Sequence, residues 1–361
     1  MFPLENLFLI KKISNTKTAY FDKNHEFLEI YDRNNDFYLR KVSVKTHEEA
    51  FMRSFPTTLT ISIVGGCKSR DVCYLDCCAG KKEYDSAKDM PFEPFKKIID
   101  EGVSKGLLNI ILTGSGDPND HPDFKEFILY AKKNRLHITC QTSGATLKEE
   151  DAFFFKQNIH KVNFNLLLGN QNSLNALKWL FYQRCKISLN LVVSSLLIDT
   201  VSSFLSSGVL EFDETGNLLR FKGENTIGKL QSISLHLQKR KGLGTLASCV
   251  SKDQKDEVIH LVKTLKRKST IPVVLEPCFQ KIFAECIKKK EKQIELPSCE
   301  CGRYSAFITE NLTMIPCEFV NMEQFGESII SKSIESVFLG EKFSRYREAF
   351  INCKNCVFRS E

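Results

Sequence analysis

Strand-like segments alternate with helical segments between residues 57 and 194, and this alternation constrains the fold more than any other feature. The five predicted strands cover 57–66, 107–114, 136–144, 161–170 and 187–194, with amphipathic segments between them. Strands that are joined through helices form parallel βα units, so we predict an α/β fold built on an open sheet or a barrel. In such folds ligands bind at the carboxyl ends of the strands.

The chain on either side of this alternation has a different character. Residues 1–56 are rich in aromatic and charged residues, and the turn at 33–36 between two strand-like runs predicts a β-hairpin. After residue 200 the sequence predicts a hairpin insertion over 212–223, a sixth strand beginning at Ser232, a helix over 255–269 and a strand over 271–276. We therefore expect three domains: a β-rich segment (1–56), a core (57–276) and a small cysteine-rich α+β module (277–361).

Cysteine is the unusual component of the composition. The 361 residues include 14 cysteines, and no stretch of 18 apolar residues occurs. The first residues lack the basic leader and cleavage site of a signal peptide, so we expect a cytoplasmic protein with no membrane partner. Clustered thiols in a reducing compartment are more often metal ligands than disulfides. The net charge of +7 is a mild excess, and no nucleic-acid partner is expected.

The first cysteine cluster follows the first predicted strand. Cys67, Cys73, Cys77 and Cys78 lie on one loop, at the edge where a βα fold places its ligands. Three thiolates can hold three irons of a four-iron cluster and leave the fourth iron open. The alternative is a zinc knuckle in which Cys78 is the fourth ligand.

A glycine-rich loop follows the second predicted strand. It contains Gly114, Ser115, Gly116 and Asp117. Glycines allow backbone carbonyls to approach a ligand closely, and carbonyls with a carboxylate suit an ammonium group better than a phosphate. The alternative is an ordinary βα turn that Asp117 caps.

In these residues the chain resembles the radical S-adenosylmethionine (radical SAM) superfamily. That family has three cysteines after the first strand, a Gly-Gly-Glu-Pro motif after the second and a Thr-Asn-Gly motif after the third. Here Asp117 stands in place of the glutamate, and residues 141–144 (Gln-Thr-Ser-Gly) are similar to the third motif. The resemblance covers about 57–275 and implies a partial (β/α)6 barrel.

The resemblance also implies ligands. It assigns a SAM-bound 4Fe-4S cluster to Cys67, Cys73 and Cys77, and it assigns SAM to Gly114, Ser115, Gly116, Asp117, Gln141, Ser143, Asn165 and Asn190. The spacing departs from the family, with five and three residues between the cysteines, and Asp76 occupies the place of the usual aromatic residue. Cys78 therefore stays an alternative third ligand.

The second cysteine cluster lies near the C-terminus and resembles the SPASM and twitch extensions of the same superfamily. Cys299 begins a Cys-x-x-Gly motif, Pro316-Cys317 follows, and Cys353 and Cys356 form a CxxC pair. The resemblance implies that these four cysteines bind one auxiliary 4Fe-4S cluster, with Cys301 as an extra cysteine. A second cluster would need further ligands such as Cys278, Cys286 and Cys301. The alternative is a structural zinc ribbon.

Smaller features of this module and of the core lead to further expectations. Asn311-Leu312 replaces the usual turn glycine, and asparagine tolerates a left-handed conformation. We expect His236 and His260 to be packing or surface residues. Cys140 and Cys185 are expected to fill the core, and Cys249 and Cys278 are candidates for a hydrogen-atom donor.

The function implied by the resemblance is that of a radical SAM enzyme. Such an enzyme cleaves SAM reductively and removes a hydrogen atom from its substrate, with electrons from a flavodoxin- or ferredoxin-type donor. We expect maturation of a ribosomally synthesised peptide by cross-linking, thioether formation, epimerisation or oxidation, with the N-terminal segment holding the peptide by strand addition. Two alternatives stay open: a radical dehydrogenase of a small sugar or aminocyclitol alcohol, and a zinc-stabilised binding protein.

Overall fold

The computed structural model describes most of the chain outside the first cysteine loop and the C-terminus. The described residues are 8–12, 17–22, 27–32, 37–41, 54–69, 73, 88–195, 197–206, 210–212, 219–221, 227–228, 230–239, 247, 249–251, 253–268, 271–279 and 299–349. They belong to two compact units, Met1–Ser54 and Phe55–Glu361.

The first unit contains a four-stranded antiparallel sheet. Its strands follow one another in the order β1 (Phe8–Lys12), β2 (Lys17–Asp22), β3 (Phe27–Asp32) and β4 (Phe37–Lys41). The hairpin predicted around residues 33–36 is confirmed as the β3–β4 pair, and the sheet has two further strands that the sequence did not predict.

The second unit is built on a ten-stranded sheet. Its strands are β5 (Thr58–Val64), β6 (Asn109–Gly114), β7 (His137–Thr142), β8 (Lys161–Asn165), β9 (Ile187–Val193), β13 (Leu230–Leu237), β14 (Val273–Leu275), β15 (Ser305–Ile308), β16 (Thr313–Ile315) and β17 (Glu327–Ser328). The three strands β10 (Leu210–Phe212), β11 (Leu219–Phe221) and β12 (Ile227–Gly228) form a separate small antiparallel sheet.

The helices connect or follow the strands of the large sheet. They are α1 (Phe92–Ser104), α2 (Phe124–Lys133), α3 (Glu149–Asn158), α4 (Gln171–Tyr182), α5 (Ile198–Ser206), α6 (Lys255–Lys268), α7 (Met322–Phe325), α8 (Ile334–Phe338) and α9 (Glu341–Ala349). The strand order is β14-β13-β9-β8-β7-β6-β5-β15-β16-β17, and every pair from β14 to β15 is parallel. Over the described residues this sheet does not close on itself, so the predicted α/β fold with a partial barrel is confirmed.

The strand boundaries differ from the predicted ones mainly in β8. The sequence predicted a strand over 161–170, but the strand ends at Asn165. The backbone N–H of Leu167 donates to the hydroxyl of Ser173, 3.2 Å away, and the Asn170 side chain caps α4 by accepting from the Ser173 N–H at 2.9 Å. These polar contacts turn the chain into α4 although residues 166–168 are all leucine.

The large sheet has one apolar face and one polar face. Strand residues of the apolar face, such as Leu59, Leu112 and Phe164, are fully buried in one core with residues of the helices. The alternate positions carry mainly hydroxyl and amide side chains, and their register places them side by side: Thr58, Thr60, Ser62, Asn109, Thr113, Thr139, Gln141, Asn163, Asn165, Ser188, Asn190, Ser232 and Ser234. We call this second set the polar face.

The C-terminal β-hairpin extends the same sheet. Strand β15 pairs in parallel with β5, with Ser305 opposite Thr58 and Ile308 opposite Ile61. Strand β16 then returns antiparallel to β15. The strand that follows Cys299 and Cys301 is thus joined to the core by backbone hydrogen bonds. The domain boundary near 277 stays a prediction.

Candidate active site

The first cysteine loop leaves the carboxyl end of β5. Cys67 and Cys73 are both partly exposed, and the N–H of Cys73 donates to the carbonyl of Ser69 at 3.0 Å. A residue beyond the loop fixes its start, because the Gly65 N–H donates to the Asp89 carboxylate at 2.8 Å. Cys77 and Cys78 lie outside the described residues, so the choice of third ligand stays a prediction.

The glycine-rich loop after β6 packs directly against the cysteine loop. A Cβ atom on Gly116 would lie 2.5 Å from the carbonyl oxygen of Gly66 and 3.0 Å from Cα of Cys67. A Cβ on Gly114 would lie 2.8 Å from Cβ of Val64. Gly116 is therefore required for the approach of one loop to the other, and Gly114 for the approach of the two strand ends from which the loops begin. These contacts fix the backbone at Cys67.

Asp117 connects this loop to the end of β7. Its carboxylate accepts hydrogen bonds from the Ser143 N–H at 2.5 Å and from the Ser143 hydroxyl at 2.8 Å. Burial raises the pKa of Asp117, and the hydrogen bonds from Ser143 only partly oppose this effect, so its pKa is higher than usual. The predicted SAM residues Asp117 and Ser143 are thus in direct contact with each other.

A second set of contacts shapes the turn after β7. The Thr142 hydroxyl donates to the Asn119 side chain at 3.1 Å and accepts from the Gly144 N–H at 3.0 Å. Gly144 has φ +69°, and a Cβ there would lie 2.6 Å from Cβ of Ala176 and 2.8 Å from the Phe164 ring. Only glycine fits this left-handed, crowded position, which turns Ser143 towards Asp117.

Two further residues of the loop after β6 are buried. The His121 Nδ1 accepts from the Asp123 N–H at 3.0 Å, so Nε2 carries the proton and donates to the Met90 carbonyl, also at 3.0 Å. Burial raises the pKa of Asp120 to about 6, although Lys68 lies 3.8 Å from its carboxylate. The carboxyl edge of β5 and β6 thus holds two buried carboxyl groups, Asp117 and Asp120.

The predicted residues on β8 and β9 lie together on the polar face. The Asn190 side chain donates to the side-chain oxygen of Asn165 at 2.8 Å, and the two residues are opposite each other in register. Gln141 lies opposite Asn163 on the same face and is partly exposed. The structure therefore brings the predicted SAM residues to one edge and one face of the sheet, and their contacts with SAM stay a prediction.

The C-terminal cysteines are closer to one another than the sequence implied. Cys301 is partly exposed, and its thiol contacts Cys299 and Cys317; these contacts, together with desolvation of the thiol, raise its pKa well above the usual value. Cys301 was expected to be an extra cysteine, but its thiol contacts both Cys299 and Cys317, the two predicted ligands. Cys353 and Cys356 lie outside the described residues.

The hairpin that carries Cys317 differs from expectation at its turn. The residue in the left-handed region is Leu312, with φ +60°, and the expectation that Asn311 takes this conformation is wrong. The Thr309 N–H donates to the Thr313 carbonyl at 2.9 Å, and the Leu312 N–H donates to the Thr309 carbonyl at 2.9 Å. This closed turn fixes the backbone at Leu312, which also packs against the core.

The described residues fit the groups that a four-iron cluster and SAM require. Cys67 and Cys73 supply partly exposed thiols at the carboxyl edge, which are suitable iron ligands. Within the described residues, no three Cys, His, Asp or Glu side chains surround one point as metal ligands do. The remaining predicted ligands of both cysteine sets, Cys77, Cys353 and Cys356, are outside those residues.

A cluster of charged side chains lies at the other end of the carboxyl edge, at β13 and β14, and the sequence did not predict it. Glu276, directly after β14, accepts from the Leu237 N–H at 2.5 Å, lies 3.5 Å from His236 Nδ1 and forms an ion pair with buried Lys239. In the sequence, Glu276 ends a predicted strand, whereas His236 and Lys239 lie within the predicted sixth strand, and no motif connects the three residues. Cys278 also contacts Lys239.

The charges of this cluster support one another. Burial alone would raise the pKa of Glu276, but Lys239 and His236 lower it to about 2. Burial alone would lower the pKa of Lys239, but Glu276 and Cys278 raise it. Glu276 is therefore a carboxylate and Lys239 an ammonium across the physiological pH range.

Cys140 and Cys185 are buried as predicted, and burial raises the pKa of both thiols, that of Cys185 to about 12. Such thiols are inert compared with those of the loop. Cys249 is partly exposed and donates to the Gln238 carbonyl at 3.6 Å. The role of Cys249 and Cys278 as hydrogen-atom donors stays a prediction.

Comparison with known proteins gives a family match over part of the chain. The family model described as the radical SAM superfamily matches residues 61–184. No curated protein matches the chain. In the described part of the chain, no helix is long and apolar enough to span a membrane.

Solved structures with the same fold include two groups of proteins. The Streptococcus suis protein SuiB bound to the precursor peptide SuiA has a TM-score of 0.62 and 14% identity, over 82% of this chain and 67% of that chain. SuiB bound to S-adenosylmethionine has a TM-score of 0.59 and 15% identity, over 85% and 72% of the two chains. The protein anSMEcpe with bound AdoMet and the Cp18Cys peptide has a TM-score of 0.57 and 16% identity, over 83% and 86%. These likenesses confirm the fold.

Proposed function

We propose that this chain is a radical SAM enzyme that modifies a ribosomally synthesised peptide. Its residues 61–184 match the model of the radical SAM superfamily. The observation that most supports SAM binding is that the Cys67 loop, the glycine-rich loop and Ser143 pack together at the carboxyl edge of the sheet. When bound there, a 4Fe-4S cluster with SAM supplies a carbon-centred radical that removes a hydrogen atom from the substrate. Cys67, Cys73 and Cys77 would hold the cluster.

The protein's own residues prepare this site in three ways. Gly114 allows the ends of β5 and β6 to approach each other, and Gly116 allows the two loops to touch, which fixes the start of the cysteine loop. Asp117 orients Ser143 through two hydrogen bonds, so that the backbone after β7 presents one conformation to SAM. Asn165 and Asn190 orient each other and offer their remaining amide groups to the nucleoside.

Three observations support a peptide as the substrate. The chain shares its fold with SuiB, which was solved with a precursor peptide, and with anSMEcpe, which was solved with a peptide. The polar face offers neutral hydroxyl and amide groups, which suit the N–H and C=O groups of a peptide backbone. The edges of the N-terminal sheet, β1 and β4, are suited to hold a peptide by strand addition.

The proposal includes partners and a compartment. The residues Cys299, Cys317, Cys353 and Cys356 would bind one auxiliary 4Fe-4S cluster, and the contacts of Cys301 make it a further candidate ligand. Electrons would come from a flavodoxin- or ferredoxin-type protein. Iron–sulfur ligation by free thiols requires a reducing compartment, so we propose the cytoplasm.

Isotope transfer tests the substrate class directly. The reconstituted enzyme is incubated with SAM, a reductant and an extract of its own organism grown in deuterated medium, separated into peptide and small-molecule fractions. We expect deuterium in 5′-deoxyadenosine with the peptide fraction. Transfer from the small-molecule fraction alone would favour the radical dehydrogenase, and a protein that binds zinc and forms no 5′-deoxyadenosine would be the zinc-stabilised binding protein.

A further inference from the structure

His236 lies on the polar face beside the predicted nucleoside site. In β13, side chains alternate between the faces, and Ile233 and Leu235 are fully buried in the core. Ser234, which is opposite Asn190, and His236 therefore share the polar face. The His236 side chain is 38% exposed, which is enough for a ligand on this face to reach its ring.

Glu276 determines which nitrogen of His236 holds the proton. Its carboxylate oxygen Oε2 lies 3.5 Å from His236 Nδ1, whereas its other oxygen, Oε1, accepts from Lys239 and from the Leu237 N–H. A carboxylate accepts hydrogen bonds only, so Nδ1 carries a proton. In the neutral ring the lone pair is then on Nε2, on the side of the imidazole that points away from Glu276.

Lys239 fixes Glu276 in turn. Its side chain is 4% exposed, and its ammonium group lies 5.3 Å from the centre of the Phe319 ring. A buried carboxylate that is neutralised on one side and hydrogen-bonded to the backbone has little freedom to move. The position of the His236 ring is therefore set by buried groups behind it.

We propose that His236 is the residue that accepts a proton or a hydrogen bond from the substrate on the polar face, and that Glu276 is its positioning residue. In the transfer, an O–H or N–H bond of the substrate breaks and an Nε2–H bond forms. The resulting imidazolium is balanced by the Glu276 carboxylate. The role of His236 toward the substrate rests on the proposed function. The pairing of His236 with Glu276 is independent of that function.

Carbethoxylation tests the pairing on the reconstituted protein without any substrate. Diethyl pyrocarbonate attacks the lone pair of a neutral imidazole, and mass spectrometry locates the modified residue. We expect His236 to react at Nε2. In the double variant E276Q/K239M, which removes both buried charges together, the reaction should be roughly tenfold slower, because no carboxylate then holds the ring with its lone pair on Nε2.

The exposed His260 provides the internal control, since it lies on α6 and does not belong to the cluster of Glu276. Its rate of carbethoxylation should be the same in both proteins. An unreactive His236, or a His236 rate that the double variant leaves unchanged, would overturn the pairing. The single variant E276Q is not needed, so a loss of folding through the unpaired Lys239 does not affect the test.

Deuterium transfer tests the role toward the substrate. The variant His236→Gln should reduce transfer to 5′-deoxyadenosine, or the yield of modified product, by roughly a hundredfold, whereas His260→Gln should leave both unchanged. Full turnover by His236→Gln would overturn the proposed role. Failure of the wild-type protein to accept the peptide fraction would instead count against the proposed function, and the carbethoxylation result would still stand.

Discussion

The two faces of the large sheet come from the same strands but carry different kinds of side chain. The apolar face presents Leu59, Leu112 and Phe164 to the helices, and all three are fully buried. The polar face presents hydroxyl and amide groups that pair with one another, as Asn190 does with Asn165 and Ser188 with Ser232. Because burial of apolar area supplies most folding free energy, the first face should determine stability and the second should determine ligand binding.

Substitution in the core that covers the apolar face and substitution on the polar face should give very different losses of stability. Phe127 of α2 is fully buried against the rings of Phe95 and His121, at centroid distances of 4.4 and 4.7 Å. We expect Phe127→Ala to lower the free energy of unfolding by about 3–5 kcal/mol, measured by urea denaturation. Asn163→Ala, on the polar face, should cost less than about 1 kcal/mol. Equal losses would contradict the division between the faces.

The cluster at the end of β13 and β14 is the expected exception on the polar side. Glu276→Gln leaves the buried Lys239 without its carboxylate, so the free energy of unfolding should fall by about 3 kcal/mol. The double variant E276Q/K239M should recover most of this loss, because no buried charge is left unpaired. A double variant as unstable as the single one would show that the ion pair itself, and not the stranded charge, stabilises the fold.

Two glycines that follow neighbouring strands, Gly144 after β7 and Gly169 after β8, separate the effect of backbone strain from the effect of crowding. Gly144 and Gly169 both have positive φ, but only Gly144 is crowded, since no atom lies within 4 Å of a Cβ on Gly169. We expect Gly144→Ala to cost about 2–3 kcal/mol in thermal or urea unfolding and Gly169→Ala about 1 kcal/mol. The same cost at both positions would mean that backbone strain alone matters.

The buried carboxyl group of Asp120 should make the carboxyl edge sensitive to pH. Its pKa is raised to about 6 in the folded protein, so its contribution to stability is greatest at low pH and is lost as the pH rises through 6. Asp120→Asn should therefore gain on the order of 1 kcal/mol relative to the wild type between pH 4.5 and pH 7. Urea denaturation at several pH values measures this difference. A difference that is independent of pH would contradict the raised pKa.

The sequence was most informative where one local pattern decides the outcome. The βα alternation predicted the parallel strands β5 to β9, and the spacing of cysteine and glycine motifs on successive strand ends predicted their convergence at one edge. These features depend on hydrophobic periodicity and on chain connectivity, which are local. The burial of Cys140 and Cys185 also followed from their apolar neighbours in the sequence.

The sequence was least informative where distant residues meet. The contact of Glu276 with His236 and Lys239 depends on the pairing of β13 with β14 across about 40 residues of chain, and no local pattern encodes it. The same is true of Cys301, whose contacts with Cys317 follow from the return of the hairpin. At Leu312 the tertiary turn overrides the local preference for asparagine in the left-handed region.

Formation of 5′-deoxyadenosine tests the central claim, that the loop after β5 holds the cluster that cleaves SAM. The wild type, Cys73→Ala and Cys140→Ala are reconstituted anaerobically with iron and sulfide and given SAM and a reductant. Cys140 is a matched control, because its thiol is buried on the apolar face. We predict 5′-deoxyadenosine from the wild type and from Cys140→Ala, and none from Cys73→Ala. Undiminished cleavage by Cys73→Ala would contradict the account.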